Sequence, residues 1–460
     1  MRLWTSAEIA LATHGTASAE FAVSGLTFDS REVGPGDLFL ALGGESTDGH
    51  RFLGQAFAQG AAGAVVSQAT DHPHVLVADT MAALDALGAA ARGRMGGKVI
   101  GVTGSVGKTG TKEALFAALD RQDPGCAHRS VKSYNNHTGV PLSLARMPRG
   151  ARFGVFEMGM NHAGELAALT RLVRPHVAMV TTIAPAHTEF FRDESAIADA
   201  KGEIFAGLEP GGTAIVPFES PHRDRLVAAA RPHAAHIVTF GTAEGADVRA
   251  IETMRTRAGG TFVTARLGRR ELSFTLSQPG AHWVSNAMGV LAAVDAVGGD
   301  LELAGLALAE LGALPGRGAR LTVPVRGGGE ALVIDESYNA NPASMRATLA
   351  VLANEPGRKI AVLGEMRELG VHSEAYHAEL SGPVEAAGIQ YAILVGEGMG
   401  SLANALEGHL DFVHVPDAET ARDRLDAVLE AGDAVLVKGS NGVRLSTVVA
   451  ALAERQPCST

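Results

Sequence analysis

Cysteine is nearly absent from this chain. Its 460 residues hold two, Cys126 and Cys458, and neither belongs to a Cys-x-x-Cys pair. That excludes a disulfide framework and a structural zinc site, and it suits a reducing cytoplasm. Aromatic residues make up only 5%, whereas glycine alone contributes 56 residues. The balance fits close-packed helix–strand units better than an all-β chain. Positive charge is short as well: 39 Lys and Arg stand against 50 Asp and Glu, a net charge of −11. A diffuse nucleic-acid-binding surface needs a net basic face, so an anionic substrate would have to meet cations gathered locally. No uninterrupted apolar stretch approaches the roughly 20 residues of a membrane helix. Met1-Arg2-Leu3-Trp4-Thr5 lacks the apolar core of a signal peptide. The expectation is a soluble cytoplasmic monomer with no nucleic acid and no membrane insertion. Internal repeats and low-complexity tracts are missing too.

What the chain does have is length and a 46% hydrophobic content, enough for about three domains of ordinary size with sizeable cores. Composition and turn signals divide it into residues 1–94, 95–314 and 315–460. The first zone alternates strand-like Leu38–Leu42 and Ala64–Ser67 with helical stretches at Phe52–Gly60 and Thr80–Arg92, ending near Gly96-Gly97. The second offers buried-strand candidates at Lys98–Val102, Phe153–Glu157, Val177–Thr181, Ala214–Val216 and Ile237–Phe240, mostly separated by helix patterns. That reads as a parallel sheet covered on both faces. Val248–Leu276 looks antiparallel, and helices at Trp283–Val297 and Leu303–Leu311 close the zone. The third carries strands at Ala331–Ile334, Lys359–Leu363, Tyr391–Val395, Asp411–Val415 and Ala434–Val437, a second doubly wound α/β unit.

The sharpest local signal is Thr103-Gly104-Ser105-Val106-Gly107-Lys108-Thr109, placed after a strand and before a helix. Glycines let backbone N–H groups turn inward, and a helix N-terminus favours anionic phosphate. Lys108 would reach the β- and γ-phosphates of ATP, and Thr109 would ligate Mg²⁺. The spacing departs from the common phosphate loop, because Gly104 and Gly107 bracket only two residues. Lys112, one turn on, reads as a solvated helix residue.

That shortened loop resembles the one in the Mur ligases and folylpolyglutamate synthetases. The likeness extends over nearly the whole chain through Asn135-Asn136-His137-Thr138-Gly139-Val140-Pro141, Glu157-Met158-Gly159-Met160-Asn161-His162, Leu363-Gly364-Glu365-Met366-Arg367-Glu368-Leu369-Gly370 and Lys438-Gly439-Ser440. Asp335-Glu336-Ser337-Tyr338-Asn339-Ala340-Asn341-Pro342 is similar to the segment in members acting on D-Ala-D-Ala. The resemblance implies three α/β domains: a small UDP-sugar-binding unit, a central ATPase-like unit and a Rossmann-like unit. It implies an ATP-dependent ligase that phosphorylates the carboxylate of a UDP-MurNAc-tripeptide and joins it to D-Ala-D-Ala. Two anions must then meet, which calls for local cations.

The resemblance also distributes roles. Glu157, at a strand's carboxyl end, would be a Mg²⁺ ligand. His187 would sit at a second ion, through a weak or water-mediated contact because imidazole is not a preferred Mg²⁺ ligand. Lys201 would be carbamoylated, its cation converted to a metal-holding anion. His282 and Asn286 share a helix face, and the matching asparagine of the family binds adenine. Arg317 and Arg320 are both candidates for an arginine that contacts phosphate on domain closure. Asp335 would bind the ribose or orient the closing domain, with Tyr338, Asn339 and Asn341 lining the same cleft. Asn136, Thr138 and Gly139 would contact the muramoyl peptide; for the asparagine pair, a turn signal is equally consistent. Asn161 and His162 would shape the acceptor-carboxylate site. Ser30 and Arg31 would contact the UDP-sugar, since Arg suits a pyrophosphate.

Some features carry no such chemistry. Gly396-Glu397-Gly398-Met399-Gly400 lacks full dinucleotide-loop spacing, and His72-Pro73-His74 has no third ligand nearby. A simple kinase or switch would share Lys108 and Thr109 but would not explain a third zone with its own signature.

Overall fold

The computed structural model describes residues 2–44, 47–186, 188–257 and 259–454. Three main sheets divide it. The first, five-stranded, runs Thr16–Ala17, His74–Leu76, Gly63–Val66, Asp37–Leu40, Gly25–Thr27, parallel except at its first pair. Its best-buried strand, Gly63–Val66, has no exposed residue. The helix Thr80–Gly93, capped by Asp79 onto the amides of Met81 and Ala82, packs against this unit.

The central sheet has nine strands. Its order is Arg270–Leu276, Thr261–Leu267, Val248–Arg255, His236–Gly241, Thr213–Pro217, Val177–Val180, Lys98–Thr103, Phe153–Glu157, Ala127–Arg129. From Ala127–Arg129 to Val248–Arg255 the pairing is parallel; the last two pairs are antiparallel, as the sequence between 248 and 276 suggests. Apolar cores lie on both faces of this sheet, which is why its inner strands are continuous runs such as Phe-Gly-Val-Phe-Glu rather than alternating ones. Lys98–Thr103 lies between Val177–Val180 and Phe153–Glu157, and its carboxyl end delivers the glycine-rich loop.

The third sheet runs Ala319–Pro324, Glu330–Glu336, Ala434–Lys438, Lys359–Gly364, Tyr391–Val395, Phe412–Val415, parallel except for the first pair. Two separate cores cover its faces. Helix Pro342–Ala353 begins on a capping box between Asn341 and Ser344, with proline at its first turn. The carboxyl ends of Glu330–Glu336 and Ala434–Lys438 point their loops at the glycine-rich loop of the central sheet, a placement typical of ligand sites in such folds. No helix among the described residues is long and apolar enough to cross a membrane.

Candidate active site

Glycine is required at two places in the loop. Gly104 has φ +149°, and a Cβ there would lie 1.9 Å from Thr181 Oγ1. Gly107 has φ +87°, and a Cβ would lie 2.8 Å from Asn286 Nδ2. The loop is pinned from behind: Ser105 N donates to Thr182 O at 2.7 Å, Ser105 Oγ to Ala184 O at 2.8 Å, and Thr181 Oγ1 to Val106 O at 2.6 Å. Helix Lys108–Asp120 starts directly after Gly107 with no side-chain cap, so its first amides are free to meet an anion. Lys108 Nζ folds back to donate to Gly104 O at 2.6 Å. Burial pushes this amine's pKa down, Glu157 opposes the drop, and Arg317 adds to it.

Glu157 ends its strand with 1% exposure. Thr109 Oγ1 donates to its Oε2 at 2.8 Å and Asn135 Nδ2 to its Oε1 at 2.7 Å, while Ser130 Oγ accepts from its backbone N at 2.9 Å. One buried carboxylate beside one hydroxyl is a hard-oxygen pair suited to Mg²⁺, which keeps waters and phosphate oxygens as its other ligands. Lys201, in helix Glu194–Gly202, is 1% exposed. Burial, with Lys108 repelling it, pushes its amine well below the usual lysine value. Among the described residues no carboxylate pairs with it. His187 lies outside the described residues.

The central and third units enclose a cleft of about 290 Å³ around the loop. Lys108, Thr109, Glu157, His282 and Asn286 line one wall; Arg317, Tyr338, Asn339 and Asn341 line the other. The His282 pKa is pushed down to about 4, by burial first and then by Lys438. The two candidate arginines separate here. Arg317 lies 4.1 Å from the Tyr338 ring centroid and donates across the cleft to Ser133 Oγ at 3.4 Å. Arg320 turns away and pairs with Glu355 at 2.5 Å. Asp335 is buried and saturated: its carboxylate accepts from Gly316 N at 2.7 Å, Ser337 N at 3.1 Å and Ser337 Oγ at 2.6 Å. Its carboxylate thus faces Gly316 and Ser337, and Asp335 is not among the residues lining the cleft.

The remaining expected contacts are spread out. Asn161 lines the cleft, and Glu165 holds the backbone amides of Asn161 and His162 at 2.7 and 3.2 Å. Asn136 Oδ1 accepts from Thr138 Oγ1 at 3.0 Å and Gly139 N at 3.0 Å, which makes it the cap of a turn leading into helix Gly139–Ala145. In the first unit, Ser30 Oγ donates to Gln55 at 3.1 Å, and Arg31 is 79% exposed and forked onto Asp29. Neither lines the cleft.

Sequence reasoning missed several residues. Trp283, Ser133, Asn135, Glu336 and Lys438 line the cleft. Burial pushes the Glu336 carboxyl up, opposed by Lys438 at 3.6 Å. Lys438 Nζ donates to Asn339 O at 2.9 Å. Glu336 lies one position from Asp335 in the Asp335–Pro342 segment, and Lys438 opens Lys438-Gly439-Ser440. Lys112 corrects the solvated reading: it is fully buried, bound to the carbonyls of Ser130 and Lys132 and paired with Glu113 at 2.9 Å. Those carbonyls fix the loop that carries Ser133 and Asn135. A second cavity, about 350 Å³, adjoins Lys108 and is lined by Ser105, Ala186, Asn339, Asn341, Arg367 and Ser440, among others.

Known proteins bear the same plan. Family models match consecutive stretches: the Mur ligase family catalytic domain at residues 22–93, the Mur ligase middle domain at 102–294, and the Mur ligase glutamate ligase domain at 320–441. The UDP-N-acetylmuramoyl-tripeptide–D-alanyl-D-alanine ligase of Escherichia coli (strain K12) is 35% identical over 450 residues, 96% of each chain. A crystal structure of MurF from Acinetobacter baumannii superposes with a TM-score of 0.85 at 32% identity, covering 99% of both chains. MurF ligase from Thermotoga maritima in complex with ADP superposes at 0.78 with 26% identity, covering 94% of this chain and 98% of that one.

Proposed function

Because the chain belongs to the Mur ligase family, we propose that it carries the activity for which its full-length relatives are named: ATP-dependent joining of D-alanyl-D-alanine to UDP-MurNAc-tripeptide. The observation that carries this reading is the cleft itself. It gathers a phosphate loop, a buried carboxylate–hydroxyl pair and an arginine from the third unit around one cavity, with a second cavity against the same lysine.

The chemistry follows from those groups. ATP lies with its phosphates on the loop amides and Lys108, and Arg317 approaches from the opposite wall. Thr109 and Glu157 would hold Mg²⁺, which supplies charge neutralisation at the phosphates when bound. A carboxylate oxygen of the tripeptide takes the γ-phosphoryl group, releasing ADP and leaving an acyl phosphate. The dipeptide amine attacks the acyl carbon, the C–O bond to phosphate breaks with its electrons, and the nitrogen loses a proton. The product is UDP-MurNAc-pentapeptide, and excluding water keeps the acyl phosphate from hydrolysis.

Lys201 fits carbamoylation. CO₂ adds only to a neutral amine, and burial beside Lys108 favours that form. The carbamate would be an anion set against Lys108 and able to hold a second Mg²⁺ with His187. His282 and Asn286 would hold the adenine side, and Ser30 and Arg31 the UDP end on a unit spanning residues 1–94. Residues 95–314 and 315–460 form the other units, and the enzyme works as a cytoplasmic monomer. The deciding assay is ADP release with UDP-MurNAc-tripeptide, with and without D-Ala-D-Ala. Dipeptide-dependent release is expected; release indifferent to the dipeptide would overturn the assignment.

A further inference from the structure

The Gly364–Gly370 segment is held in an unusual conformation. Glu368 has φ +62° without being glycine, a conformation that persists only where surroundings impose it. Its carbonyl accepts from Glu189 N at 3.2 Å, and the Leu369 carbonyl accepts from Thr188 Oγ1 at 3.1 Å. The segment is thus seated on the central unit, beside Ala186. Arg367, Glu368 and Leu369 line the second cavity, opposite Ser105 and Lys108.

What sets the segment from its own side is a histidine that no motif singled out. His377, in helix Ser373–Ala378, is fully buried. Its Nδ1 lies 2.7 Å from Ser373 O. A carbonyl cannot donate, so Nδ1 carries the proton and Nε2 is left as an acceptor. That lone pair receives Met366 N at 2.9 Å. Ser440 supplies the neighbouring clamp: its Oγ accepts from Arg367 N at 2.9 Å, and its N donates to Glu365 O at 3.2 Å. Gly398 N donates to Glu365 Oε2 at 3.0 Å.

We infer that His377 is a positioning residue for the acceptor step: it sets the Gly364–Gly370 segment so that its carbonyls engage Thr188 and Glu189 and its side chains complete the second cavity, where the dipeptide amine meets the acyl phosphate. The inference rests on the proposed ligase reading. It separates the two cavities, because the nucleotide cleft is built without this segment.

The test is steady-state kinetics of the full chain as His377→Phe and His377→Gln, varying D-Ala-D-Ala and ATP in turn. Phenylalanine fills the volume but leaves the Met366 amide without an acceptor, a loss on a scale of roughly tenfold or more. The expected result is that fall in kcat/KM for the dipeptide, with the KM for ATP unchanged. Glutamine places an amide oxygen near the Nε2 position and should restore most of the loss. If His377→Phe does not fold, Thr188→Val breaks the same seat from the central unit and should give the same dipeptide-selective loss. Folded His377→Phe with unchanged dipeptide kinetics, or with equal losses toward ATP and dipeptide, overturns the inference. Wild-type enzyme lacking dipeptide-dependent ADP release would instead overturn the ligase reading.

Discussion

The central unit meets its two neighbours in opposite ways. Against the first unit the seam is apolar and shared: Leu142 and Ala145, from helix Gly139–Ala145, sit in the same core as Leu84, Leu87 and Ala91. A Cβ on Gly88 would come within 3.1 Å of Pro141 Cα. Trp4 Nε1 donates to Ala145 O at 2.9 Å, Arg92 Nε to Val173 O at 2.8 Å, and Arg94 stacks 3.7 Å over the Trp4 ring. Against the third unit, among the described residues, no apolar core is shared. Single hydrogen bonds and ion pairs cross there, through Arg317, Thr188, Glu189 and Arg255, and the two cavities lie between them. An apolar seam is dismantled only by unfolding, whereas a polar, wettable one can be broken and remade. Substrate delivery and water exclusion therefore belong to the second seam.

The largest effect should come from the cleft of that second seam. Lys108→Met removes the cation aimed at the phosphates, and kcat should fall by about 10³-fold, or about 4 kcal/mol of transition-state stabilisation. Thermal stability should not fall with it, because burial and Arg317 already disfavour the charged amine. Single-turnover ADP formation and a melting curve on one preparation would show the split.

Lys201→Ala should follow, with a loss of roughly 10²-fold or more, partly recovered by short carboxylates such as acetate or propionate that restore an anion. Absence of recovery at any carboxylate concentration would count against the carbamate.

The first seam should respond in stability instead. Leu142→Asp buries an unpaired carboxylate between two units and should cost about 3 kcal/mol or more. Urea unfolding would read it, and the loss should grow with pH through the carboxylate range, since the penalty belongs to the ionised form. Activity per folded molecule should remain near that of the parent, in contrast to Lys108→Met.

Arg317→Ala cuts the second seam where it meets the nucleotide. A loss of about 2 kcal/mol in kcat/KM for ATP is expected, on the scale of a charge-assisted hydrogen bond, with little change in urea midpoint.

These contrasts were only partly legible in the sequence. Fully covered strands such as Phe153–Glu157 and Lys359–Gly364 announce themselves as continuous apolar runs. The edge strand Ala127–Arg129 does not, being three half-buried residues, and Ala319–Pro324 hides because five of its six residues are not fully buried. Within the site, spacing could not separate Arg317 from Arg320; that choice depends on Glu355, 35 residues away, claiming the second arginine. Nor could it weigh Asp335 against Glu336, since successive strand residues face opposite sides and only packing shows which side holds the cleft. Lys112 looked solvated because nothing local reveals that the carbonyls of Ser130 and Lys132 await it. His377 was invisible for the same reason: its partner Met366 belongs to a motif, while the histidine does not.

The smallest effect should come from Arg255, which reaches from the central hairpin to the third unit. Its guanidinium donates to Asn354 O at 2.9 Å and to Glu355 Oε1 at 3.3 Å, at the end of helix Pro342–Ala353, where a cation is favoured by the helix dipole. Half of its side chain is exposed, whereas Glu355 is nearly buried. Removing Arg255 does not orphan that carboxylate, because Arg320 still holds it from within the third unit. Arg255→Ala should therefore cost no more than about 0.5–1 kcal/mol, visible as a salt-sensitive rise of about fivefold or less in the KM for ATP. Arg320→Ala is the sharper comparison, since it leaves Glu355 with only the exposed partner across the seam. If Arg255→Ala proved the more damaging of the two, the second seam would be held by this pair far more firmly than its polar, open construction allows.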